Sequence, residues 1–298
     1  MSNVPIGRLF PSGGPADPDM MIGRATEVDD LVAILDEGVH VLIAGDRRIG
    51  KTTVCRAAQA KLRDEHDMRV VFVEVPERSS SVDLCQLVVD RCLGAGTGPR
   101  LVKAATPLVQ KLLERQGIPL DLSALGPEPV PSARRAVLEL PLKMAADGRV
   151  LIVFDELQRA HDYADRDELT ADLCDLYAGQ QDAVVLVDGS NQRTFETLLG
   201  SSDGLGKLVH RRDLAPTIAR TVWRDELPGH FEQAGHPIGQ APLDELLDYG
   251  AELPYPMMTA ARHAALTAHR LGGETDSFCV QDGIKAAEKQ LHDDGYDL

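Results

Sequence analysis

The residues best suited to chemistry lie in one octet, Gly45-Asp46-Arg47-Arg48-Ile49-Gly50-Lys51-Thr52. It sits between a short apolar run and a helical pattern. In that setting glycines let a loop wrap an anion with its N–H groups turned inward, and the following helix offers its positive end to the same charge. Lys51 is the type of residue that reaches the β and γ phosphates of a nucleoside triphosphate, and the Thr52 hydroxyl suits Mg²⁺. Arg48, Ile49 and Thr53 complete the expected nucleotide-contacting stretch.

A second signal is Val150-Leu151-Ile152-Val153-Phe154-Asp155-Glu156, an apolar run ending in two carboxylates. The bend at a strand end lets neighbouring acids take different directions, so Asp155 is expected in the Mg²⁺ shell and Glu156 as the base for an attacking water. The third is Leu186-Val187-Asp188-Gly189-Ser190-Asn191, in which Ser190 and Asn191 are candidates for contacting the γ-phosphate or the water. The alternative for this third stretch is a plain turn capping the next helix.

The elements that must carry these groups follow from periodicity. Apolar runs predict strands at 39–44, 70–75, 150–154 and 183–187, each continuous enough to be covered on both faces. Helical patterns fall at 27–36, 51–64, 81–93, 100–116, 132–146 and 165–178, while 117–131 is too rich in Pro and Gly for a helix. Strands alternating with helices predict an α/β fold with a parallel sheet. After residue 214 the pattern becomes helical, with segments at 217–233, 243–249, 256–271 and 283–292 and a hinge near 214–217.

Composition narrows the function classes. The 298 residues carry a net charge of −16, of which −10 falls in residues 225–298, so bulk charge argues against free-standing nucleic-acid affinity. The sequence lacks an apolar run of about 20 residues, so no membrane span is expected. The opening twenty residues lack the pattern of a secretory signal. Cys55, Cys85, Cys92, Cys174 and Cys279 are odd in number and form no C-x-x-C pair, which suits buried thiols in a reducing cytosol. His161, His210, His230, His236 and His263 show no metal-ligand spacing, and the acidic 293–297 stretch reads as solvated.

Taken together the motifs resemble those of AAA+ P-loop ATPases of the STAND-related prokaryotic kind called archaeal-type ATPases. Met21-Ile22-Gly23-Arg24-Ala25-Thr26-Glu27 is similar to the family's hydrophobic-Gly-Arg-x-x-Glu box near the adenine, and the octet is similar to its G-x-R-R-x-G-K-T loop, the Walker A element. Phe154-Asp155-Glu156-Leu157-Gln158 resembles its Walker B element, and Gly189-Ser190 its sensor-1 strand end. Gly250-Ala251-Glu252-Leu253-Pro254-Tyr255-Pro256 is similar to the Gly-x-x-Pro turn of its lid, with one residue more than the compact form.

The resemblance implies a P-loop core in which the sensor strand lies between the Walker strands, plus a small C-terminal helical lid. It implies a flexible lead-in at 1–19, a core at 20–215, a lid at 216–272 and an acidic helix and tail at 273–298. It further implies that Ile22, Gly23, Arg24, Gly45, Arg48, Ile49, Gly50, Lys51, Thr52, Thr53 and Pro254 contact nucleotide, that Thr52 and Asp155 hold Mg²⁺, and that Glu156, Lys51, Ser190 and Asn191 act in hydrolysis. Arg211 and Arg212, placed before the last core strand, are the candidates for completing a neighbouring subunit's site. Arg262 is a sensor-2 candidate, with a surface role the stronger alternative.

The implied activity is ATP binding and hydrolysis in the cytoplasm, with ATP and Mg²⁺ as cofactors and ATP/ADP exchange driving a switch or assembly factor. Such a module is expected to form a homo-oligomer and to act on a separate protein partner. One rival is a DNA-engaging regulator of the transposition-regulator or helicase-loader type, with Arg100, Lys103, Lys111, Arg134 and Arg135 lining a basic channel. Another is a nucleotide-dependent scaffold that does not hydrolyse.

Overall fold

The computed structural model describes residues 4–77, 80–92, 131–189 and 205–296. The expected helix at 100–116, most of the 117–131 stretch, Arg100, Lys103, Lys111, Ser190 and Asn191 lie outside them. Two compact units emerge: one gathers Met1–Asp29, Asp46–Ala57 and Leu214–Leu298, the other Asp30–Gly45 and Ala58–Asp213.

The second unit is built on a sheet of β1 (Val41–Ala44), β2 (Arg69–Glu74), β3 (Val150–Asp155), β4 (Ala183–Asp188) and β5 (His210–Asp213). Their order is β2-β3-β4-β1-β5, and every neighbouring pair is parallel. The sensor strand β4 therefore lies between β3 and β1, as the resemblance implies. Every position of β3 and β4 is buried, which is why both read as unbroken apolar runs. Helices Ser81–Cys92, Pro131–Leu138 and Arg166–Tyr177 supply the core with Leu84, Val88, Val137, Leu138, Leu169 and Leu173.

Three findings in this unit depart from the sequence expectations. The last core strand, which the resemblance puts just after Arg211 and Arg212, is β5 and contains them: it is a short edge strand, exposed along its length, with no apolar side chain to announce it. The helix expected at 132–146 is instead Pro131–Leu138, Leu140–Met144 and a 3-10 turn Ala145–Asp147, the break falling beside Pro141, which has no N–H to continue the ladder. Arg134 is buried, with Nη1 2.8 Å from Asp165 and Nε 2.7 Å from Asp172, and Arg135 pairs with Asp172 and Asp175. Arg134 is committed to its own unit, whereas Arg135 is exposed and paired only at 3.4 Å.

The first unit is helical in its larger part. Helices Arg220–Gln233, Gln240–Gly250, Pro254–Leu271 and Ser277–Asp293 pack around Trp223, Leu227, Phe231, Leu246, Met257 and Val280. Leu9 and Phe10, from the stretch expected to be a lead-in, are fully buried in it, and the Phe10 ring lies 4.8 Å from that of Phe231. Gly283 is where the last two helices meet: a Cβ there would come within 2.6 Å of the Ala264 nitrogen and 2.9 Å of its Cα. The last helix starts six residues earlier than expected because the Asp276 carboxylate accepts the Cys279 N–H at 2.9 Å and caps it.

Candidate functional site

The phosphate-binding candidates divide between the units, and each half has its own geometry. In the first unit the Lys51–Glu65 helix begins at Lys51 itself, directly after the loop. Gly50 adopts φ 98° and Arg48 φ 67°, left-handed backbone that lets the loop turn back on itself. The buried Lys51 ammonium donates to the Asp46 carbonyl at 2.6 Å, which holds the amine across the loop it belongs to. The Thr53 hydroxyl oxygen accepts the Ala16 N–H at 3.1 Å, which ties the first turn of this helix to the 4–20 segment.

The hydrophobic-Gly-Arg box braces that loop. Arg24 is buried, and its Nη2 donates to the carbonyls of Ala215 at 2.7 Å and Ile49 at 3.3 Å, while Nη1 pairs with Glu27 at 2.8 Å. One guanidinium thus ties a phosphate-loop carbonyl to the chain at the expected hinge. Gly23 has φ 61°, its N–H donates to Glu226 at 2.8 Å, and a Cβ on it would meet Ile218 at 2.8 Å. No side chain fits there. Ile22 is buried against the same helical core.

The lid turn is held by backbone geometry. Ala251 and Glu252 are both left-handed, at φ 45° and 67°. Glu252 then accepts the Ile218 N–H at its carbonyl, 2.9 Å, and the Arg220 N–H at its carboxylate, 2.8 Å. A Cβ on Gly250 would collide with Met257, and Pro254 opens the next helix at a position where its missing N–H costs nothing. Arg262, on that helix, donates to the Ser12 hydroxyl at 3.0 Å.

In the second unit the sheet register aligns the acids. Glu74 pairs with Asp155, Asp155 with Asp188, and Asp188 with Ile43, two residues before Gly45. Asp155 and Asp188 are both buried. Adjacent strands lie about 4.8 Å apart, so the Asp155 backbone is roughly 10 Å from that of Ile43 at the sheet edge from which the loop departs. In open α/β sheets ligands bind outside this carboxyl edge. Asp188 is the residue the motif reading passed over in favour of Ser190 and Asn191. Its signal was a carboxylate closing a buried strand at the same level as Asp155.

Glu156 follows β3 in left-handed backbone, φ 57° and ψ 39°, which turns it away from the direction of Asp155. Gln158 donates an amide hydrogen to the Glu156 carboxylate and fixes its orientation. Of the six non-glycine residues with positive φ among the described residues, five fall in these motifs: Arg24, Arg48, Glu156, Ala251 and Glu252. Each such residue costs about 1 kcal/mol or more, and strain concentrated this way marks functional segments.

Arg211 and Arg212 lie within β5, not ahead of it. Arg211 donates to one Asp213 carboxylate oxygen from Nε at 3.0 Å and Nη2 at 2.8 Å, and both arginines are exposed.

Mg²⁺ takes oxygen donors and keeps several waters, and the Thr52 hydroxyl and Asp155 carboxylate are of that kind. A loop with three residues of positive φ (Gly45, Arg48 and Gly50), a lysine and a helix N-terminus suits the phosphates. The fold and these motifs define a P-loop nucleotide-binding protein. The family model for the AAA ATPase domain matches residues 21–187, more than half of the sequence, and the chain belongs to that family. No curated protein sequence matches it. Among solved structures it is similar to the Walker-type ATPase PABY2304 of Pyrococcus abyssi, at 16% identity and TM-score 0.63, covering 96% of this chain and 78% of that one. It is also similar to the Aeropyrum pernix ORC1 protein in complex with DNA, at 15% identity and TM-score 0.64, covering 97% and 70%. The Aeropyrum pernix ORC2 protein in its ADPNP-ADP complexes matches at 15% identity and TM-score 0.62, covering 94% and 71%. At these identities the likeness is one of fold. Among the described residues no helix is long and apolar enough to cross a membrane.

Proposed function

We propose that the chain binds and hydrolyses Mg²⁺·ATP and uses the cycle as a switch or assembly factor on a separate protein partner. The observation that carries this reading is the strand register that sets Asp155 and Asp188 level with the end of β1, from which the 45–52 loop leaves. The loop N–H groups and Lys51 bind and orient the triphosphate, and Thr52 and Asp155 are the residues that would hold Mg²⁺. When bound, that ion neutralises charge on the phosphate oxygens. Glu156, oriented by Gln158, accepts a proton from the attacking water, and Asp188, with Ser190 or Asn191, positions that water or the γ-phosphate. Gly23, Arg24, Ile22 and Pro254 act as the frame of the nucleotide site.

In this reading Arg211 and Arg212 act in trans within a homo-oligomer, supported by their exposure on an edge strand. A partner protein is favoured over DNA by the net charge of −16, and Arg134, one of the basic candidates, is buried against Asp165 and Asp172. The test is phosphate release and nucleotide binding by wild-type protein and Lys51→Ala. Loss of both in the variant supports the reading, and unaltered binding refutes the loop's role. Mixing Arg211→Ala or Arg212→Ala with Glu156→Gln protein tests sharing: activity returns if sites are completed between subunits and stays absent if they are not.

A further inference from the structure

Within the acidic stretch expected to be solvated, Asp294 and Tyr296 reach the phosphate loop and the tyrosine beneath it. Tyr255, buried at the start of the Pro254–Leu271 helix, donates its hydroxyl hydrogen to the Asp294 carboxylate. Arg48, on the loop, lies over the face of the same tyrosine with its guanidinium carbon 4.2 Å from the ring centroid. The Arg48 guanidinium is also 3.7 Å from Asp294. Tyr296 closes the cluster, its ring edge-on to Tyr255 at 5.4 Å. The turn that delivers these residues is ordered by its own bonds: the amides of Asp294, Gly295 and Tyr296 donate to the carbonyls of Gln290, His292 and Leu291 at 2.9, 3.0 and 2.8 Å. Burial, then the bond to Asp294, raises the Tyr255 phenol above its usual pKa, so it remains a donor at neutral pH.

The loop's Arg48 is therefore claimed by a carboxylate from elsewhere in its own unit. A triphosphate bound by that loop presents the same chemistry, an oxyanion seeking a guanidinium, and it also repels the carboxylate. We propose that Tyr255 and Asp294 are positioning residues for the phosphate loop that act through Arg48, with Asp294 competing against nucleotide phosphate for its guanidinium. The proposal rests on the reading that the 45–52 loop binds nucleotide. By linkage the coupling runs both ways: Asp294 weakens phosphate binding, and bound nucleotide loosens the 294–296 turn by the same factor. That turn would then report the nucleotide state on the surface of the helical unit, a place from which a partner could read it.

The pair is partly exposed, so the competition is modest. Asp294→Asn should tighten binding of ADP and of a non-hydrolysable ATP analogue about two- to fivefold at low salt, the range of a half-exposed ion pair, and the gain should shrink as salt is added. Tyr255→Phe, which keeps the ring under Arg48 and removes only the hydroxyl, should shift affinity the same way by less. The decisive arm is the cycle with Arg48→Gln, in which Asp294→Asn should change affinity by nothing measurable. A merely structural role for the turn would give the same effect in both backgrounds. Amide hydrogen exchange gives a second readout: the Asp294, Gly295 and Tyr296 amides should exchange faster with nucleotide, and faster in Arg48→Gln without it.

Unchanged or weakened affinity in Asp294→Asn, or an equal gain in the Arg48→Gln background, would overturn the proposal. If the wild-type protein binds no nucleotide, the phosphate-binding reading falls and the competition with it. Accelerated exchange in Arg48→Gln would then show that the contact exists without that function.

Discussion

Arg24→Met removes a guanidinium and keeps the length and apolar stem of the side chain. The structure sets the size of the effect. The bond to the Ala215 carbonyl, at 2.7 Å from a buried donor, is a full charge-assisted hydrogen bond of about 2 kcal/mol. The bond to the Ile49 carbonyl is longer, at 3.3 Å, just past the usual range, and contributes about half as much. The Glu27 pair is discounted to a few tenths of about 1 kcal/mol because that carboxylate is 38% exposed and water replaces its partner. The sum is about 3 kcal/mol, equivalent to a fall in Tm of roughly 6–12 °C for a domain of this size. Thermal unfolding with and without nucleotide is the assay. Because one of the freed carbonyls belongs to the phosphate loop, nucleotide affinity should also drop at least about threefold. Arg24→Lys, a single point donor where a fork is needed, should recover less than half of the stability. A Tm change below about 2 °C, or a full Tm loss with unaltered affinity, would refute the idea that this side chain braces the loop.

Other outcomes follow from the same geometry. Gly283→Ala should destabilise by about 2 kcal/mol in denaturant unfolding despite alanine's better helix propensity, because its Cβ meets the Ala264 backbone. Asp188→Asn should slow hydrolysis at least about tenfold with little change in ADP affinity, measured by steady-state phosphate release beside equilibrium binding. His40 accepts the Val185 N–H at Nδ1 and donates to the Tyr177 carbonyl, both at 2.9 Å, and its burial lowers the pKa below 6.5, as burial does for His230. Below 6.5 the unfolded chain takes up these protons first, so stability should be flat above about pH 7 and fall as pH drops toward 5. Replacement by His40→Asn should reduce that slope in unfolding experiments across the range, and an unchanged slope would remove His40 from the account.

The sequence exposed those parts of the fold whose physics is local. β1, β3 and β4 were visible because strands covered on both faces must be apolar throughout, β2 by its apolar Val70–Val73 run although only Val71 and Val73 of it are buried, and the octet because a tight anion loop admits few residue types. β5 was hidden because an exposed edge strand of His210, Arg211, Arg212 and Asp213 carries no apolar pattern, although backbone pairing with β1 is enough to make it a strand. Asp188 was overlooked for a different reason. Its alignment with Asp155 is a matter of register between strands far apart in sequence, which no local pattern encodes.

The same limit applies to ion pairs and braces. Nothing near Arg134 in sequence reveals Asp165 and Asp172, and nothing near Arg48 reveals Tyr255 and Asp294. A charged stretch reads as solvated until a fold brings a partner to it. Phe10 shows the converse: a lone aromatic in a Pro/Gly-rich stretch has no periodicity, yet it fills the helical core beside Phe231 and His230. Arg24 lay within a recognised box, but its use as a brace on Ile49 and Ala215 is a long-range property of the packed chain.

Glu156→Gln protein, incubated with radiolabelled ATP and Mg²⁺ and assayed for both retained nucleotide and released phosphate, separates binding by the loop from proton abstraction by the carboxylate. The substitution preserves shape and removes the proton acceptor, so ATP should bind as tightly as in wild type while turnover falls at least about a hundredfold. Phosphate release at the wild-type rate would contradict that role.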